Sequence, residues 1–328
     1  MRHLLEDFQV DEVPAYLPSG TGGHLFVRFE KTDLTTPAAV SLIAKALQVK
    51  SHTAGFAGLK DRRGITRQWA SFEGATPEQL SELTLPPNLR ILEHGLHAHK
   101  LKTGHLKSNR FQIRVRNPVG DRTLAAELLT ELATHGCPNY YGEQRFGRNG
   151  DNAETALAFV AGTTAPPRDR FQRRLLFSAF QSAVFNQWLA DRVERGELGK
   201  AIPGDLMRKE DSGGLFTSDD LEDLQTRTSH FVISATGPMF GSDMRWPKDE
   251  AETRERELLG RVGVSDAALR AHRKLGSGTR RVCRIRPEDW AVESQDGDLL
   301  VSFTLPKGAY ATTVMRELMK PDEDEATA

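Results

Sequence analysis

Residues 51–74 read SHTAGFAGLKDRRGITRQWASFEG. Phe56, Ala57 and Leu59 predict the end of a buried strand, and Gly55 and Gly58 leave room for a second backbone or a ligand to approach. Asp61 follows at once, between Lys60 and the pair Arg62 and Arg63. Three cations within two positions favour the ionised carboxylate and suit phosphate groups on a bound partner. Two readings stand side by side: a turn Asp in a solvated charge run, and a nucleophile beside a polyanion. Because Gln68–Phe72 predicts a further strand, Asp61 lies on a loop anchored at both ends, as a reactive side chain requires.

On the N-terminal side, Phe8–Val13 alternate as a strand, stop at Pro14, and meet the Gly-rich segment SGTGG before a second strand, Leu25–Phe29. This pattern predicts a hairpin. Thr36 before Pro37 starts a helix in which Ala39, Val40, Ile43, Ala46 and Leu47 repeat at helical spacing. On the C-terminal side, Phe111, Ile113 and Val115 alternate with Gln112, Arg114 and Arg116, so this strand has one buried and one basic face. His97 and His99 share a strand face, but with no third ligand evident a polyphosphate contact fits better than a metal.

Asp121–His135 is apolar at helical spacing, and GCPNYYGEQRFGRNGDN then predicts an irregular loop rich in aromatics, with Arg145 and Arg148 available to a ligand. A long helix, Arg173–Arg195, buries Leu175, Leu176, Ala179, Phe180, Ala183, Val184, Phe185 and Trp188. GDLMRKEDSGGLFTSDD suggests a hairpin, GPMFG a tight loop, and Glu250–Arg261 an exposed charged helix. Strands return at Val282 to Arg284 and at Leu299–Leu305. LPKGAYATTVMREL closes the chain with a helix capped by Thr312 or Thr313, before an acidic tail with the composition of disorder.

The 328 residues suggest two domains, and a 38% hydrophobic content is enough for ordinary cores. No apolar run reaches membrane-spanning length and the start is too acidic for a secretory signal, so a cytoplasmic protein is expected. Cys137 and Cys283 are expected to be packed thiols. The net charge of −1 is unusual for a nucleic-acid binder, but the distribution is segregated. Residues 97–116 and 280–286 carry basic residues without acidic ones, while 219–223, 249–257 and the tail are acidic, so a basic cleft is expected.

Several of these segments carry a resemblance. GLKDRRGITRQ, EDFQVDEVP, SNRF, NYYGEQRFG and LPKGAYATTVMREL together resemble the TruD family of tRNA pseudouridine synthases across nearly the whole chain. The resemblance implies an α/β (α+β) fold: a catalytic sheet from residues 1–135 and 286–328, with a smaller α/β domain, 136–285, inserted. It implies isomerisation of uridine to pseudouridine at position 13, in the D arm of tRNA, with Asp61 as nucleophile and no cofactor. Phe8, Asn109 and Tyr310 are then the substrate contacts. Phe111 is added as an aromatic wall, and Lys60 and Arg62 as phosphate contacts. Ser108 stands for the family's usual Gly, Tyr310 for its usual Phe, and Gly64 for its frequent Ala, which is expected to loosen the loop. The expected partner is tRNA, bound by a monomer without membrane or protein partner. A catalytically inactive RNA-binding or RNA-folding factor of the same fold is the alternative, separated from the enzyme only by chemistry at Asp61.

Overall fold

The computed structural model describes residues 4–147 and 152–319. Two compact units emerge, one from Met1–Thr130 with Pro287–Gly308, the other from Glu131–Arg286 with Ala309–Ala328. The expected boundaries at 135 and 285 fall near two of these changes; a further change lies after Gly308, so the last helix, Ala311–Met319, groups with the second unit. The fold class is the expected mixture of helices and sheets.

The first unit is built on an eight-stranded sheet. Its strands include β1 (Phe8–Pro14), β2 (His24–Thr32), β3 (Gly55–Phe56), β4 (Ile65–Glu73), β5 (Leu89–His97) and β6 (Leu106–Val115). Two late strands, Glu288–Gln295 and Asp298–Pro306, complete it beside β6. The order across the sheet is 288–295, 298–306, β6, β1, β4, β2, β5, with β3 paired to β4. β1 and β2 therefore do not form the expected hairpin. β4 lies between them, parallel to β1 and antiparallel to β2. The reason is visible in β4 itself, where Gln68–Phe72 are all buried, as in a strand covered on both faces and paired on both edges. Alternation in β1 and β2 reports which side chains are buried, not which strand lies next door.

Helix α1 (Thr36–Ala46) starts where expected, with Thr35 accepting the Ala38 N–H and Pro37 in the first turn. Its Ala39, Val40, Ile43 and Ala44 pack with Leu47 on Leu25, Val27 and Phe29 of β2 and on Ala70 and Phe72 of β4. Helix α2 spans Arg122–His135. In the second unit, α3 (Asn152–Ala161) and α4 (Arg170–Glu194) share an aromatic core of Phe159, Phe177, Phe180, Phe185 and Trp188. Leu175 lies outside it, exposed on α4. Met207–Lys209 pairs with Leu215–Phe216 as the expected hairpin. GPMFG, by contrast, forms no separate loop: Gly237–Met239 end the fully buried strand Ile233–Met239. The helix Asp249–Arg261 is charged, yet Glu255 points inward to a buried ion pair with Arg280 at 2.6 Å. Both cysteines are free and buried. Burial pushes the Cys137 thiol up to about 12 and the Cys283 thiol in the same direction.

Candidate active site

The loop between β3 and β4 carries Asp61, and its backbone is tied at three points. The Lys60 N–H donates to Thr36 Oγ1 at 3.0 Å. That hydroxyl donates to Gln68 Oε1 at 2.8 Å, and the Gln68 amide donates to the Gly58 carbonyl at 3.2 Å. Lys31 Nζ donates to the Asp61 carbonyl at 2.7 Å. Lys31 is fully buried, and burial lowers its pKa to about 8 against the opposing pull of Asp61, with Lys60 adding repulsion.

Close approaches fix the same loop. A Cβ on Gly55 would lie 2.1 Å from the Leu101 carbonyl, so the close backbone contact expected there is present; a Cβ on Gly58 would meet only Lys60 Nζ, at 3.9 Å. Gly64 has φ +147°, and a Cβ there would lie 2.5 Å from the Phe8 carbonyl oxygen. The expectation that Gly64 loosens the loop is therefore corrected: glycine permits a close contact that locks the loop onto β1. Leu59 does not end a buried strand. It is 70% exposed, because the ties on either side at Gly58 and Lys60 turn it outward.

Strand register groups the remaining first-unit candidates. Phe8, Val10 and Glu12 of β1 pair with Ile113, Phe111 and Asn109 of β6, and Val10 also pairs with Thr66 of β4. Directly paired residues share a face, so Phe8, Glu12, Asn109, Phe111 and Gln68 lie on one side of the sheet. Lys60 reaches this side through an ion pair with Glu12 at 2.7 Å, opposite Asn109. The loop bearing Asp61 is thus joined to the strand bearing Asn109. Asn109 is 9% exposed, and its Oδ1 has no hydrogen-bond partner among the described residues. A buried amide oxygen left in this state costs free energy unless a ligand donor satisfies it.

Other candidates are placed differently from expectation. The Lys60 side chain is only 6% exposed and is held by Glu12, so it supports the site from beneath and is not presented to phosphate. Phe111 packs between Phe8 and Phe303, with ring centroids at 6.2 and 5.7 Å, as part of the core and not as an open wall. Phe8 is buried too. Arg62 is exposed, 3.2 Å from Asp33, and Arg63 is exposed as well. Tyr310 belongs to the second unit, where its ring meets Tyr141 edge to face at 5.9 Å. Tyr141 in turn lies under the Arg281 guanidinium, 4.0 Å from its carbon to the ring centroid. Thr313 does not cap the last helix; its hydroxyl donates to the Tyr140 carbonyl. Arg148 and the acidic tail lie outside the described residues.

The basic runs divide in the same way. Lys102, Lys107 and Arg110 are exposed, whereas Arg114 pairs with Asp298 and Arg116 with Asp7 and Asp298. The Arg116 guanidinium holds the buried Asp7 carboxyl below the usual carboxylate range. Residues 280–286 are not a phosphate-binding row. Arg280 is spent on Glu255, Arg281 on Asn139 and Tyr141, and Arg284 on backbone carbonyls. His97 stacks on Tyr16 at 5.1 Å and accepts from the Ser19 N–H. The supports that sequence reasoning missed are Lys31, Thr36, Gln68 and Glu12. Lys31 did leave a signal, since it shares parity with Leu25, Val27 and Phe29 and so puts a charge on an apolar face.

The class follows from the comparisons. The family model described as tRNA pseudouridine synthase D (TruD) matches residues 1–164 and 168–318. The tRNA pseudouridine synthase D of Anaeromyxobacter dehalogenans is 46% identical over 99% of this chain and 94% of that protein. That of Thermus thermophilus is 41% identical over 96% of this chain and 87% of its own length. A TruD crystal structure from Methanosarcina mazei shares the fold, with a TM-score of 0.72 at 23% identity, over 98% of this chain and 93% of that one. These matches define a pseudouridine synthase, an isomerase acting on tRNA. Within that class, the chain belongs to the TruD family of tRNA pseudouridine synthases.

Proposed function

We propose that this enzyme converts uridine 13, in the D arm of tRNA, to pseudouridine with Asp61 as nucleophile. The position in tRNA rests on the resemblance of the signature segments. The observation that carries the catalytic assignment is the three-point tie of the Asp61 loop, with the Lys31 ammonium beneath its carbonyl. Holding a reacting group in one geometry is a large part of catalysis. The reaction breaks the N1–C1′ bond, turns the uracil, forms C5–C1′, loses the C5 proton and gains one at N1, with no change of oxidation state. The Asp61 carboxylate attacks C1′ or C6, and can then assist removal of the C5 proton.

An extruded uracil needs partners at its edge and faces. The unsatisfied Asn109 Oδ1 accepts from a ring N–H, and an aromatic face is the role that the family resemblance implies for Tyr310. Phe8 acts mainly by shaping the site, given its burial and its contact with Gly64. The sheet formed by both ends of the chain is the catalytic body and residues 136–285 are the inserted domain. We take the enzyme to act as a monomer on cytoplasmic tRNA.

The test is Asp61→Asn, assayed by release of the C5 hydrogen from tritium-labelled tRNA and by mapping of the modified position. Loss of turnover with tRNA affinity within a few-fold is expected. Appreciable turnover by a verified, undeamidated variant sinks the nucleophile assignment. Modification confined to another uridine sinks the target.

A further inference from the structure

We infer that the exposed start of α4 is a second tRNA-contacting surface, on which a base of the substrate stacks against Phe171 while Arg170 and Arg174 hold its flanking phosphates. Phe171 is 73% exposed, one turn before the half-exposed Leu175. Arg168, Arg170 and Arg174 surround it, all exposed and without an acidic partner among the described residues. The one acid in this segment, Asp169, is already used as the helix cap and accepts the Gln172 N–H at 2.9 Å. Arg173 is turned back onto the Pro167 carbonyl, which fixes the approach to the helix.

Helix stability does not account for this arrangement. The first turn is the positive end of the helix dipole, where cations are disfavoured and anions favoured. A large exposed aromatic adds nothing to the core, which α4 builds from Leu176, Phe177, Ala179 and Phe180 on its other side. Arginines around an open aromatic ring match a nucleic-acid strand, with its alternating phosphates and stacking faces. The substrate of this family supplies such a strand, so tRNA is the occupant that the charge favours.

The surface is also continuous with a substrate residue proposed above. Phe171, Leu175, Ser178 and Ser182 follow one stripe along α4. Arg145 docks on that stripe, donating to Ser178 Oγ and, at 3.2 Å, to Ser182 Oγ. Its guanidinium also lies 5.7 Å from the Tyr141 ring, which touches Tyr310. Phe171 stands seven residues before Ser178, roughly 10 Å along the helix.

The inference rests on tRNA being the substrate and not on Asp61, and direct binding to Asp61→Asn protein keeps the two apart. Phe171→Ala, Phe171→Trp, Phe171→Leu and the double variant Arg170→Gln/Arg174→Gln are compared by tRNA affinity at several salt concentrations and by steady-state kinetics. Phe171→Ala is expected to weaken affinity roughly fivefold or more, from the loss of one stacked base. Its kcat should stay within twofold, and Phe171→Trp but not Phe171→Leu should restore binding. The double Arg variant should flatten the log–log salt slope by about 1.4 to 1.8, with the Phe171→Ala slope unchanged. Unchanged affinity and slope in the folded variants overturn the inference, as does a loss confined to kcat or a change in self-association. Should Phe171→Ala fold poorly, the double Arg variant decides through its slope.

Discussion

The ammonium of Lys31 lies 2.7 Å from the backbone carbonyl of Asp61, fully buried, so a cation is held beneath the residue proposed as nucleophile. Burial disfavours the charged form, and the attraction of Asp61 offsets only part of that cost. The Lys60–Glu12 pair sits alongside, and Arg62 and Asp33 pair at the surface.

The first prediction follows from that lysine, whose folded pKa is about 8 against an ordinary 10.5. As pH rises through about 8, Lys31 loses its proton, its hydrogen bond to the Asp61 carbonyl weakens from a charge-assisted to a neutral one, and kcat falls. Stability moves in the opposite direction. Between about 8 and 10.5 the unfolded chain binds the proton that the native state has released, so this group's contribution to stability rises with pH. Lys31→Met should lower kcat by about 10- to 100-fold, from a slightly misplaced nucleophile, and remove the alkaline decline. A pH–rate profile of the variant that keeps the decline assigns it to the substrate or to another group.

Gly64→Ala tests the close contact with Phe8. The added Cβ must displace the Phe8 carbonyl and hold φ +147°, which only glycine adopts readily. A loss of about 1–3 kcal/mol is expected in urea unfolding, with a fall in kcat. Wild-type values for both would mean that β1 and the loop adjust independently.

The surface cations are tested by salt dependence. Replacing the exposed Lys102, Lys107 and Arg110 together with Gln should weaken tRNA binding and flatten the log–log salt slope by about 0.7 to 0.9 per lost phosphate contact. Arg114→Gln, already paired with Asp298, should leave the slope unchanged and act on stability. A slope that responds to Arg114 and not to the exposed trio would locate the RNA elsewhere.

In the second unit, Arg280→Met strands the buried Glu255 carboxylate. Breaking such a pair costs about 3–5 kcal/mol, and adding Glu255→Leu should recover much of it. Thermal unfolding of the single and double variants measures both. Equal loss in the two would show that packing, not charge, sets the cost.

Much of the framework was legible in the sequence because strands, the start of α1 and the core of α4 depend on short-range patterns of apolar residues and caps. What escaped depends on which strands meet. The hairpin expected of β1 and β2 failed because β4 enters between them, a pairing that alternation does not encode. Runs of like charge misled for a related reason. Arg116 finds Asp7, and Arg280 finds Glu255, across 109 and 25 positions of chain. A local count of cations therefore overstated what faces a ligand. Lys60 has the same lesson at the site itself, since its partner Glu12 sits on a strand read in isolation.

The strand Asp298–Pro306 pairs with β6 from Ser108 to Val115, and Leu305 is paired with Asn109. On the ribosome, β6 emerges long before that partner has been translated. Until then its outer edge has unpaired amides and carbonyls, a template for mispairing with another chain. A nascent chain released early would therefore leave Asn109, proposed above as a uracil contact, without its partner strand although Asp61 and its loop had long been made. Activity is therefore expected to appear only once the strand Asp298–Pro306 has been translated and has paired with β6.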